Sequence, residues 1–218
     1  MPHLETVITR NNQVVSLLDC GQFHEAVHLA STAMELFQEI TISEDEDLLE
    51  KEHSNPSIDH CMLARGNSSR EEASDDTDFN YIYQRGISLP SAMVEDPTRV
   101  PPTLIFNSAL SHHLLAAAVH EPQMRQHLFD KAIKLYKLAY TIEQSGDYKN
   151  NNIFKMAVLN NLGVICRVLG QEEQAQECFD YLVSMMMQLV HLGVCDEMMK
   201  HLNGVWANLV VQNIAPAA

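Results

Sequence analysis

Apolar residues recur at three- and four-residue spacing over two stretches near the start of the chain. Val7, Val14, Leu17 and Leu18 form the first, and Ala26, Val27, Ala30, Ala33, Met34 and Phe37 the second, with Gly21 a natural stop between them. Residues 3–40 therefore read as two helices forming a first helical unit. From Thr41 to Asp78 the periodicity dissolves. Next, FNYIYQRGISLP alternates briefly around two tyrosines and a glycine, so residues 79–102 read as an extended linker carrying a strand or short hairpin. From Thr103 to Asn213 the helical period returns almost throughout. Pro101-Pro102 predicts a stop with Thr103 as N-cap, and Glu121-Pro122 opens a helix that runs to Ser145 before Gly146. A third helix is expected over 152–169, ending at Gly170, and a fourth from Glu172 toward Gly193. Residues 103–193 thus hold two more helical units, 194–213 a final helix, and 214–218 a tail.

Composition sharpens the middle of this picture. Residues 41–78 carry 12 acids against 3 bases, supplying -9 of the chain's formal charge of -15. A stretch so acidic and so poor in large apolar residues cannot offset its ordering entropy, and it reads as a disordered insertion. The overall charge argues against nonspecific contact with nucleic acid or an anionic membrane and favours a basic partner, if a charged one is used. No basic and apolar leader opens the sequence, and the most apolar window, YLVSMMMQLVHLGV, is too short and interrupted to span a bilayer. Five cysteines with no C-x-x-C pair suit reduced thiols in an intracellular protein, cytoplasmic or nuclear.

The helices repeat. NNQVVSLLDCGQFHEAVHLASTAM, from Asn11, and NNLGVICRVLGQEEQAQECFDYLV, from Asn160, both begin Asn-Asn, place Gly-Gln ten residues on, and put alanine five residues beyond that glycine. A looser copy has Asn107-Ser108-Ala109 in its first helix and Ala132, Tyr136 and Ala139 in its second. On these residues the chain resembles the tetratricopeptide repeat family over about two thirds of its length. Leu159, Leu162, Gly163 and Cys166 match the family's first-helix packing positions, and Gly170, Ala175, Phe179 and Leu182 its turn and second helix. Gly21, Phe23, Ala26, Ala30 and Ala33 match in the first copy, whereas Val14 replaces the usual small residue. No copy has the family's tryptophan or closing proline. The resemblance implies an all-α fold: an α-α superhelix of three stacked helix-turn-helix units with a C-terminal capping helix, in which Met198, Leu202, Trp206 and Leu209 face inward.

The same resemblance implies a non-enzymatic module that binds a protein or peptide in a concave groove lined by first helices. Asn12, Asn107 and Asn161 share one repeat position, and a ladder of amides can offer a peptide backbone donors and acceptors together. They can equally tie the helices to one another. Val15, Leu110 and Val164, with Leu18, His113 and Arg167 further along, complete the expected groove. The positions of the family's carboxylate clamp read Asn11, Val15, Asn107, Ala157 and Asn161, so binding of a terminal carboxylate is not expected. The acidic insertion is either a solvated loop or a regulatory arm whose aromatic end, Tyr81 and Tyr83, docks in the groove.

One string points elsewhere. His24-Glu25-Ala26-Val27-His28 is an H-E-x-x-H pattern, which on a helix puts two imidazoles and a carboxylate where a zinc hydrolase needs them. Ala26 of that string is the small packing residue of the repeat, no third ligand follows at the usual spacing, and so short a pattern arises by chance. The sequence therefore predicts no metal and no cofactor. The alternatives to an interaction module are that zinc hydrolase and a purely structural subunit of a complex.

Overall fold

The computed structural model describes residues 2–48, 81–94, 97–145, 151–191, 193, 205 and 208. These residues are all-helical apart from one extended stretch, with no β-strand among them. Six helices pack against one another: α1 (Pro2–Asp19), α2 (Phe23–Leu48), α3 (Val100–Ala118), α4 (Pro122–Ser145), α5 (Asn152–Val168) and α6 (Glu172–His191). Two short 3-10 turns, Ser91–Val94 and Pro97–Arg99, lead into α3.

The repeated Gly-Gln pairs end α1 and α5 in the same way. Gly21 and Gly170 adopt positive φ, 72° and 69°, a left-handed conformation that costs glycine nothing. Gly21 N–H donates to the Leu18 carbonyl at 3.0 Å and Gln22 N–H to that of Leu17 at 2.9 Å; Gly170 and Gln171 repeat the pattern onto Arg167 and Cys166 at 3.0 and 2.8 Å. Each glutamine carbonyl then accepts the first bond of the next helix, from Ala26 and Ala175. Such a tight stop and restart sends the second helix back along the first. At the start of α4, Glu121 caps two otherwise unpaired amides, those of Gln123 and Met124, at 3.2 and 2.7 Å.

The second helices present small residues to the core. Ala26, Ala30 and Ala33 of α2, Ala132 and Ala139 of α4 and Ala175 of α6 are all buried, with Tyr136 and Phe179 filling the space beside them. Helices α5 and α6 approach closely at Gly163, where a β-carbon would lie 2.7 Å from Phe179 Cζ. Central α3 is buried along nearly its whole length. Its interior polar groups are satisfied locally, with Ser111 Oγ donating to the Asn107 carbonyl and His112 Nδ1 bonded to that of Ser108, both at 2.7 Å.

Three expectations are revised. Helix α2 continues to Leu48, so the first residues of the acidic tract extend a helix instead of opening a loop. Helix α3 begins at Val100, and Thr103 is not its cap. Prolines 101 and 102 sit in its first turn, where backbone N–H groups have no intrahelical partner to lose. Residues 81–90 form a single extended segment and no hairpin. The rest of the acidic insertion, and the final helix apart from Val205 and Asn208, lie outside the described residues, as do Met198, Leu202, Trp206 and Leu209.

Candidate peptide-binding site

The extended segment Tyr81–Pro90 lies across α1, α3 and α5 and is held by asparagine side chains. Asn12 accepts the Leu89 N–H at Oδ1 and donates from Nδ2 to the Leu89 carbonyl, both at 2.8 Å. Asn107 does the same for Ile87 at 2.9 and 2.8 Å, and Asn161 for Tyr83 at 2.8 and 3.1 Å. Asn208, beyond α6, takes both groups of Tyr81 at 2.8 Å. A primary amide carries a donor and an acceptor side by side, so one side chain satisfies both backbone groups of one extended residue. Four rungs thus pair with residues 81, 83, 87 and 89, and the segment runs opposite to the order of the helices.

Two further asparagines join the rungs. Asn11 Nδ2 donates to the Ile87 carbonyl at 3.0 Å and lies 3.3 Å from Asn12 Oδ1, while its own Oδ1 accepts from Asn107 at 2.8 Å. Asn160 has the same wiring: it donates to the Tyr81 carbonyl at 3.0 Å and to Asn161 at 3.1 Å, and accepts from Asn208 at 2.7 Å. Each bridging amide joins two rungs whose backbone targets are two residues apart. Between Asn107 and Asn161 the corresponding position is Phe106, packed against Tyr136 and Phe154, and there the segment advances four residues from 83 to 87.

Side chains of the segment differ sharply in exposure. Tyr83 (7% exposed) and Leu89 (2%) are buried, whereas Gln84, Arg85 and Ser88 are exposed. Leu89 joins a small core with Leu4, Val7, Ile8, Ala33, Val100 and Leu104, and Tyr83 joins the main one. Burial raises the Tyr83 phenol above its ordinary pKa, partly opposed by the charge of Arg85. At Gly86 the segment passes so close to α1 that a β-carbon would meet Val15 Cγ2 at 2.9 Å.

Asn161 is further fixed from behind. Its Nδ2 also donates to the Tyr136 hydroxyl at 2.9 Å, and that hydroxyl stands 3.5 Å from His113 Nδ1. His113 packs edge-on to Phe129 and Tyr136, and burial holds its pKa down to about 3, so it is neutral. Of the residues expected to line a groove, Asn12, Val15, Asn107 and Asn161 meet the segment. Leu18, Leu110 and Val164 are buried in the main core, and His113 supports the site from within it instead of lining it. The Arg167 guanidinium lies over the Phe179 ring at 4.6 Å. Its Nη2 is buried without a hydrogen-bond partner among the described residues, and desolvation lowers the pKa of Arg167.

Asn11, Asn160 and Asn208 are ladder positions that the repeat position alone does not identify. The signal for the first two is the Asn-Asn pair that opens each matching copy; nothing in the local sequence marks Asn208. The H-E-x-x-H residues His24, Glu25 and His28 are exposed on α2, and among the described residues no three His, Cys, Asp or Glu side chains are grouped to hold a metal ion. No described helix is long and apolar enough to cross a membrane.

No family model, curated protein or solved structure matches this chain.

Proposed function

We propose that the chain is a non-enzymatic protein-interaction module of the tetratricopeptide-like kind, an α-α superhelix whose first helices grip an extended peptide in a concave groove. The observation that carries this reading is the four-rung ladder, in which Asn12, Asn107, Asn161 and Asn208 each hold both backbone groups of one residue. Recognition of this sort depends on main-chain groups, so affinity comes from the backbone and selectivity from the pockets between rungs. The partner is a protein or peptide, with neither nucleic acid nor membrane as target, in an intracellular setting. A zinc hydrolase gains no support from exposed His24, Glu25 and His28.

A second reading is favoured by the same geometry. Every rung is occupied by the chain's own segment, which suits a structural subunit whose groove is stapled in cis. Co-purification from extract separates the two. Wild type and an Asn107→Ala/Asn161→Ala chain of matched helicity would be compared by mass spectrometry of bound proteins. Partners lost only from the variant support the groove reading, and an identical set of partners for both chains contradicts it.

A further inference from the structure

The segment that fills the ladder also describes what the ladder selects. Three of its positions are read most closely by the surrounding helices, while Ile82 and Ile87 pack half-buried against the main core. Tyr83 and Leu89 are enclosed in the two cores, and Gly86 leaves no room for a side chain beside Val15. Valine is stiff about χ1 in a helix, so it cannot swing aside cheaply. Exposed Gln84, Arg85 and Ser88 extend away from the buried cores. The backbone register is set independently: bridging Asn11 and Asn160 couple rungs two residues apart, and Phe106 stands where a third bridge would be.

Resting on the groove reading above, we propose that residues 81–89 are a cis pseudo-ligand, and that the partner is an extended peptide with the same polarity and register. Its backbone is gripped at positions n, n+2, n+6 and n+8; an aromatic residue stands at n+2, glycine at n+5 and a large aliphatic residue at n+8. In this chain n is Tyr81. A ligand bearing this pattern competes with the tethered segment, whose effective concentration is on the order of millimolar. The groove therefore rejects weak or off-pattern peptides without any additional gate.

The test uses a fluorescein-labelled peptide of sequence NYIYQRGISLPS, titrated by anisotropy against three full-length chains. These are wild type, Tyr83→Ala/Leu89→Ala, which weakens the tethered segment through its pockets, and Gly86→Val, which retains both pocket residues but drives the segment off Val15. Circular dichroism confirms that each chain is folded, and either displaced-segment variant suffices. The peptide should bind the displaced-segment chains roughly tenfold or more tighter than wild type. Valine in place of the peptide's glycine, or alanine in place of its second tyrosine and its leucine, should weaken binding by a similar factor. A scrambled peptide that binds a displaced-segment chain equally well overturns the pattern while leaving peptide binding intact. Absence of binding by native and scrambled peptides alike overturns both the pattern and the groove reading.

Discussion

Asn161 holds Tyr83 by both ends of its backbone, accepting the amide N–H at 2.8 Å and donating to the carbonyl at 3.1 Å. The same amide reaches the Tyr136 hydroxyl, so the rung belongs equally to the segment and to the core. Asn161→Ala leaves four polar groups with altered partners, the Tyr83 N–H and carbonyl, the Tyr136 hydroxyl and Asn160 Nδ2, and a loss of about 2–4 kcal/mol in urea unfolding is expected. Asn11→Ala leaves the Ile87 carbonyl its bond from Asn107 and takes one acceptor from Asn107 Nδ2, which still donates to Ile87, so its cost should be smaller, about 1 kcal/mol. Equal costs for the two variants would contradict the division into rungs and bridges.

Gly163 and Phe179 offer a second test. A methyl group at Gly163 would press into the Phe179 ring, with its β-carbon 2.7 Å from Cζ. Gly163→Ala should therefore destabilise by about 1–3 kcal/mol through overpacking. Replacing Phe179 with leucine in the same chain makes room, so the double variant should lose less than the sum of the two single changes. Additive losses in denaturant melts would mean that the two sites do not press on one another.

The histidine behind the ladder gives stability a pH dependence. Burial lowers the His113 pKa from its ordinary 6.5 to about 3, so between these values the unfolded chain binds a proton that the folded chain refuses. Stability from this group is therefore complete above pH 6.5 and falls as pH drops toward 3, by ~1.4 kcal/mol per unit once well below 6.5. His112, lowered chiefly by burial, acts in the same direction. Glu143, whose pKa burial raises, acts in the opposite direction just above its ordinary 4.5, where the unfolded chain ionises first. Measured by urea unfolding at pH 5, 6 and 7, His113→Phe should have a shallower slope than wild type; parallel slopes would mean that His113 titrates normally.

Thiol chemistry should sort the described cysteines by burial. Cys20 is exposed, Cys166 is buried with a raised pKa, and burial pushes Cys178 up to about 12. Thiolate is the reactive form, so iodoacetamide at pH 8 should modify Cys20 well before the other two, as read by peptide mass mapping. Labelling of Cys178 as fast as Cys20 would contradict the packing of α6.

Much of the helical framework is legible in the sequence, because Gly21, Gly170 and Pro122 punctuate helices by local rules. Thr103 misleads, since two prolines followed by threonine resemble a stop and a cap, whereas a first helical turn accommodates both rings. The amide ladder is readable as a repeated asparagine, and docking of Tyr81 and Tyr83 in the groove is one of two readings of the sequence, but the register of the whole segment is not readable. Alternation in YIYQRGISL implies a strand, and a strand implies another strand as partner. Here the partners are side chains on helices, with Asn12 and Leu89 separated by 77 residues in sequence and Tyr81 and Asn208 by 127. No local pattern encodes such pairings. His113 and Arg167 share a repeat register with Leu18, but register alone does not show that His113 turns into the core or that Arg167 lies over Phe179.

Amide hydrogen exchange along residues 81–90, resolved by NMR, tests the central claim most directly. The ladder predicts that the N–H groups of Tyr81, Tyr83, Ile87 and Leu89, each bonded to an asparagine Oδ1, exchange slowly. Asn161→Ala should lose that protection first at Tyr83. Exchange at unprotected coil rates at all four residues in the wild-type chain would contradict the account.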